Sequence, residues 1–166
     1  MHKAFGLLLD AYQRPIYYYI RRMVLDHDDA DDLTQSTFIL AWRALAGFRF
    51  ESKLSTWLHT IAYREAIHHL EQKKKIAGIP MDLVGSQLTD HLMSDPLYDG
   101  DTIQAHLQAA IATLPEKQKA VFIMKYYEEK KYEEIASITG TSVGALKANY
   151  HHAVTKIESY INALPS

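Results

Sequence analysis

A chain of 166 residues, 48% hydrophobic and 23% charged, has the balance of a globular protein rather than a disordered one. Its 18 Lys and Arg against 20 Asp and Glu leave a formal charge of −2, too little positive charge to grip many phosphates unaided. The absence of cysteine excludes disulfides and thiolate zinc sites; no stretch is apolar enough to span a bilayer and no signal peptide is legible, so a cytoplasmic location is expected.

The pattern is helical throughout, with no convincing alternating strand run. The first predicted helix covers 4–25, with Pro15 marking a kink or restart. The second covers 28–46, opened by Asp28, Asp29, Asp31 and Asp32, whose charge suits the positive end of a helix dipole, and closed near Gly47. Asp28 and Asp29 are expected to serve as capping residues. A third helix covers 54–77, entered through Ser52 and Ser55. Further helices are expected at about 102–113, 116–128, 131–138 and 142–162, punctuated by Pro115 and Gly140, with Ser142 as N-cap of the last.

Charge divides the chain in three. Residues 1–75 carry 11 basic and 9 acidic side chains, whereas 76–101 carry five Asp and no Lys or Arg. Residues 102–166 carry 7 Lys and 6 Glu. The middle segment also holds Gly78, Pro80, Gly85, Pro96 and Gly100, the breakers of a connection. The simplest partition is an all-α protein of two small helical domains, 1–77 and 102–166, joined by an acidic linker, 78–101. The alternative is a long ordered loop packed on one domain.

In the last helix Val143, Leu146, Tyr150, Ala153 and Ile157 form one apolar stripe. Upstream, Tyr132-Glu133-Glu134-Ile135-Ala136 leads through Ile138-Thr139-Gly140-Thr141-Ser142 into it. Helix, glycine turn and helix with a polar outer face is the helix-turn-helix pattern, although an ordinary helical hairpin would read the same way.

Leu114-Pro115-Glu116-Lys117-Gln118-Lys119-Ala120-Val121-Phe122, the Glu133–Ala136 block and Ser142-Val143-Gly144-Ala145-Leu146-Lys147 resemble the C-terminal domain of extracytoplasmic-function sigma factors. Asp29-Ala30-Asp31-Asp32-Leu33-Thr34-Gln35-Ser36-Thr37-Phe38, then Ala41-Trp42-Arg43, Phe48-Arg49 and Ser55 to Ala62, resemble that family's region two in the same order. The resemblance implies a sigma factor rather than an enzyme, partnered by core RNA polymerase and promoter DNA, with an anti-sigma factor as a further candidate partner. It implies no cofactor, metal or small-molecule substrate, and a protein not embedded in a membrane.

By the same resemblance, Asp31, Asp32, Gln35 and Phe38 would bind core polymerase, Phe38 as an exposed aromatic anchor; the alternative is that the acidic cluster only caps the helix and Phe38 is core. The loop with Phe48, Arg49, Phe50 and Lys53 would accept a flipped base of the minus-ten element, each phenylalanine either anchoring the loop or touching the base. Trp57 and Leu58 are assigned to the core. The third helix would offer Arg64, Lys73, Lys74 and Lys75 to duplex DNA; the alternative is that its lysines simply form a solvated helix end. It departs from the family pattern, which usually has Asn at the position of Arg64, Asp at His68, and Arg at Glu71 and Gln72. Glu71 four residues before Lys75 would occupy one lysine internally, and His69 reads as structural.

In the last helix, Ser142, Lys147, Asn149, His151, His152 and Lys156 would meet the minus-thirty-five element. Asn149, placed opposite the stripe, would read adenine, where the family commonly carries Arg at the positions of Asn149 and His152. The pairs His68-His69 and His151-His152 diverge by about 100° on a helix and do not make a metal site. A free-standing helix-turn-helix regulator and a protein-binding helical adaptor are the competing classes.

Overall fold

The computed structural model describes residues 2–77, 92, 95–98 and 101–165. Most of the acidic linker, and any path it takes, lies outside the described residues. Seven α-helices and no strand are present among those described: α1 (His2–Val24), α2 (His27–Ala44), α3 (Leu54–Ala77), α4 (Thr102–Ala112), α5 (Glu116–Tyr126), α6 (Tyr132–Thr139) and α7 (Val143–Asn162).

Helices α1–α3 pack pairwise into the first unit. α1 buries Leu8, Ile16, Tyr19, Ile20 and Met23, spaced along one face. It runs through Pro15 as one helix, because the proline stands on the exposed side where solvent can satisfy the carbonyl it orphans. The turn into α2 is tight. Leu25 takes φ 69° and Asp26 caps α2, its side chain accepting from the Asp29 backbone N–H at 2.9 Å. The cap is therefore Asp26, and Asp28 and Asp29 occupy the first turn instead. Ala30, Ala41, Ala62 and Ala66 are fully buried on α2 and α3, and side chains this small let the helix axes approach closely.

In the second unit α7 packs on α4, α5 and α6. Four consecutive residues of α5, Val121 to Met124, are all buried. A helix apolar on every side must be covered on every side. α7 covers α5 from within its own unit, while α1 and α3 of the first unit also lie against it. α3 makes its broadest contact with the second unit along α6, and a single apolar core runs through both units.

The end of the linker is packed as well. Leu92 and Tyr98 are buried against Ala105, Ala109 and Leu25, and Asp95 pairs with the buried Arg21 of α1. Tyr98 donates to Gln108 Oε1 at 3.1 Å, and Gln108 donates to the Arg22 carbonyl at 3.0 Å.

Candidate nucleic-acid interface

After α2 a short 3-10 turn, Leu45–Gly47, leads into an extended loop. The Phe48 ring sits 4.9 Å from Trp57 and 4.7 Å from Phe50. Phe50 is 81% exposed and adopts φ 57°, a conformation that costs a bulky residue energy and persists only where the surroundings impose it. The two phenylalanines thus divide: Phe48 is braced on Trp57, while Phe50 presents its ring to solvent. Arg49 and Lys53 are exposed beside it.

On α2, Asp31, Asp32 and Gln35 are exposed. Phe38 is not the exposed anchor expected; it shares the inward stripe of Ala30, Thr34 and Ala41 and is 5% exposed. It lines a groove of about 380 Å³ between α1 and α2 with Phe5, Leu9, Ile39 and Trp42, and Asp31 and Gln35 stand on its rim. Ile39, half exposed, and Trp42 were missed from sequence, although they follow Gln35 by four and seven residues on the same helix.

The cations of α3 are differently placed. Arg64 and Lys75 are exposed. Lys73 Nζ lies 3.0 Å from Asp29 Oδ2, an oxygen that His69 Nε2 also reaches at 3.2 Å, which gives His69 its structural role. Burial pushes the Asp29 carboxyl up, but Lys73 and His69 outweigh it and hold the group below its ordinary range. Lys74 Nζ lies 2.5 Å from Glu116 Oε1 in the second unit. Burial again opposes, and Lys74 with the Glu116 backbone N–H prevails, lowering the Glu116 pKa.

The turn between α6 and α7 is short. Gly140 closes α6 at φ 73°, its N–H donating to the Ala136 carbonyl, and Ser142 caps α7 by accepting from the Ala145 N–H at 3.2 Å. On α7, Leu146, Ala153 and Ile157 are buried, while Val143 and Tyr150 are half-buried, so the apolar stripe forms as expected. Lys147, His151, His152 and Lys156 face solvent. Lys147 Nζ stands 5.8 Å above the Tyr132 ring and Lys156 donates to Gln118 Oε1 at 3.1 Å. Asn149 is half-buried at the edge of the stripe rather than opposite it.

Where the units meet, polar pairs surround the apolar contact. Thr56 donates to Glu134 Oε1 at 3.4 Å, and His59 Nε2 lies 3.0 and 3.1 Å from the two carboxylate oxygens of Glu128. Arg22 places its guanidinium 4.1 Å over the Tyr127 ring. The buried Lys119 donates to the Met23 carbonyl at 3.4 Å; burial pushes its pKa down to about 8, against the pull of Glu116. Among the described residues, Tyr19 Oη and His59 Nδ1 are buried without a hydrogen-bond partner, each an omission worth about 1–3 kcal/mol. No cluster of three metal-ligating side chains occurs among the described residues.

Two helical units, the second a helix-turn-helix with a cationic outer face, define a nucleic-acid-binding protein of transcription. The sigma-70 region 2 model matches residues 8–76 and the sigma-70 region 4 model residues 105–157. The RNA polymerase sigma-H factor of Pseudomonas aeruginosa is 30% identical over 98% of this chain and 88% of its own length. SigW, an ECF RNA polymerase sigma factor of Bacillus subtilis, is 28% identical over 89% of this chain and 83% of its own. The solved sigma factor RpoE from Bartonella quintana, in complex with the anti-sigma factor NepR, shares the fold across 98% of this chain and 99% of its own (TM-score 0.75, 20% identity). The chain belongs to the extracytoplasmic-function sigma factors of the sigma-70 family, non-enzymatic proteins that direct promoter recognition and transcription initiation by RNA polymerase. No described helix is long and apolar enough to cross a membrane.

Proposed function

We propose that residues 1–77 engage core polymerase and the minus-ten element, that 78–101 tether, and that 102–166 read the minus-thirty-five element of cytoplasmic promoters. The groove between α1 and α2 seats a helix of the polymerase: its apolar floor supplies burial, and Asp31, Asp32 and Gln35 on α2 recognise a basic partner. α7 lies in the major groove, with Ser142 and Asn149 toward the bases and Lys147, His151, His152 and Lys156 toward phosphates. Arg64, Lys73, Lys74 and Lys75 line the duplex beside the minus-ten element. An anti-sigma factor is a candidate partner, since the similar RpoE was solved with one.

The observation that carries this reading is Phe50, a large ring held in solvent at positive φ on a Phe48–Trp57 platform. Stacking an extruded base on such a ring recovers roughly 1–3 kcal/mol of the cost of unpairing it. Run-off transcription with Phe50→Ala tests it. Initiation from duplex promoters should fall about tenfold or more, and a template with a pre-melted minus-ten region should recover most of the loss. Equal activity of Phe50→Ala and the parent on duplex promoters would remove the base-capture role.

A further inference from the structure

α1 carries an alternating row outside both the apolar core and the groove it shares with α2. Arg14, Tyr18 and Arg22 follow at intervals of four residues on one face of the helix, Arg14 exposed and the other two half-buried. The Arg14 guanidinium stands 5.7 Å from the centre of the Tyr18 ring, and the Arg22 guanidinium 5.9 Å from it. The row continues into the second unit. Arg22 also lies over Tyr127, whose ring is 5.0 Å from that of Tyr126, a side chain 51% exposed.

Charge decides what such a row can take. Asp10 and Asp31 line the same crevice as Arg14, yet no carboxylate among the described residues forms an ion pair with Arg14 or Arg22. Arg21, between them in sequence, differs, because Asp95 holds it. One Arg–Tyr pair a turn apart steadies a helix. A second guanidinium on the same ring gathers like charges, which an anion relieves. A single nucleic-acid strand supplies what both groups want, phosphates for the guanidinium groups and an unpaired base for the ring. Eight residues of helix set Arg14 and Arg22 about 12 Å apart. A strand at about 3.4 Å per stacked nucleotide covers that length in about four nucleotides. A duplex keeps its base faces inside the stack and offers the ring nothing.

We propose that Arg14, Tyr18 and Arg22 form a further nucleic-acid site, selective for single-stranded DNA and separate from the Phe50 loop. Arg14 and Arg22 bind phosphates, and a base stacks on Tyr18. Tyr17, hydrogen-bonded through its hydroxyl to His27 Nδ1 at 2.5 Å, makes a T-shaped contact with the Tyr18 ring at 5.7 Å and holds it in place. Holding a strand freed when the minus-ten base leaves the stack is the use that rests on the sigma-factor reading; the binding itself does not.

Fluorescence anisotropy of a short labelled oligothymidine tests the site on the full chain carrying Phe50→Ala, so that the loop cannot account for binding. That chain should bind the oligonucleotide at low salt, and more tightly than it binds a duplex of the same length. Adding Tyr18→Ala should weaken binding about tenfold without changing its salt dependence, and Tyr18→Phe should keep it. Adding Arg14→Ala should reduce the slope of log affinity against log salt by about 0.7, the share of one phosphate on a single strand, and Arg14→Lys should keep the slope. Arg14 is exposed, so its variants keep the fold. No binding by the Phe50→Ala chain, or binding unchanged by both Tyr18→Ala and Arg14→Ala, overturns the proposal. So does equal affinity for the duplex. Displacement of the oligonucleotide by polyglutamate at equal charge overturns it too, and assigns the row to an acidic protein. If the oligonucleotide results hold while the native chain directs no run-off transcription with core polymerase, the sigma-factor reading fails and the site stands. If transcription proceeds and the oligonucleotide results fail, the site falls and the sigma-factor reading stands.

Discussion

α3 and α7, the two helices proposed to meet duplex DNA, carry four and two Lys or Arg respectively, and these charges are not equally available. On α7, Lys147, His151, His152 and Lys156 face solvent, and none has a carboxylate partner among the described residues. On α3, Lys73 is held by Asp29 and Lys74 by Glu116, leaving Arg64 and Lys75 outside those pairs. A lysine already facing a carboxylate must lose that partner before it can take a phosphate, so counting basic residues overstates the DNA affinity of α3 and not that of α7.

The largest test of this contrast removes the polymerase. The free chain should bind promoter duplex weakly at physiological salt, and core polymerase should raise the affinity by about 10²–10⁴ by presenting both helices at once. A nanomolar, sequence-specific complex of the chain alone would show that α3 and α7 are equally available in the free protein.

Lys119 is a third kind of cation, buried and without an ion pair among the described residues. Keeping it charged in its buried site costs on the order of 3 kcal/mol. Between pH 8 and its ordinary 10.5 the folded chain holds fewer protons here than the unfolded chain, so this site makes stability rise with pH. Above pH 10, Tyr98 and Tyr127, pushed by burial to about 12, act in the opposite sense. Thermal unfolding across pH 7–10 should show the rise, and Lys119→Met should flatten it while raising Tm by about 5 °C or more.

Next in size, Asp32→Ala with Gln35→Ala should weaken core binding by about tenfold without moving Tm, since both side chains are exposed on α2. Lost stability with unchanged affinity would assign the acidic row to the helix alone. Gly140→Ala should cost about 1 kcal/mol and lower Tm by about 2–4 °C, because any Cβ at φ 73° is strained even though the space around it is open. The smallest effect separates the helices directly. Lys147→Ala should reduce the slope of log affinity against log salt by about 1, whereas Lys73→Ala should leave it nearly unchanged. Equal changes in the two variants would mean that Asp29 releases Lys73 on binding.

The helices were legible because each signal was local. Proline at 115, glycine at 140, Ser142 and the three-and-four spacing of α7 all act within a turn or two, and the observed ends fall within three residues of those expected. The end of α1 lacked such a signal, since Leu25 takes a conformation that usually calls for glycine. Phe38 stayed open between anchor and core because an aromatic beside an acidic row resembles an anchor, and its stripe with Ala30, Thr34 and Ala41 decides for the core. Asn149 misled by angle: it lies within a turn of both Leu146 and Ala153, which places it on their flank.

The meeting of the two units was hardest to see. His59 and Glu128 are 69 residues apart and Thr56 and Glu134 are 78 apart, and no periodic pattern links pairs at that separation. One clue was available. Val121-Phe122-Ile123-Met124 is apolar around the whole turn, more than a four-helix unit of this size readily covers alone.

That run bears on the protein's lifetime. While the units are docked, Val121 to Met124 of α5 are covered on every side. A chain that opens without polymerase to receive it uncovers an apolar helix between two short helical bundles, the kind of surface that chaperones and proteases seize. The packing of the two units thus protects an apolar helix that neither unit covers alone, and any separation of them must supply another cover for it.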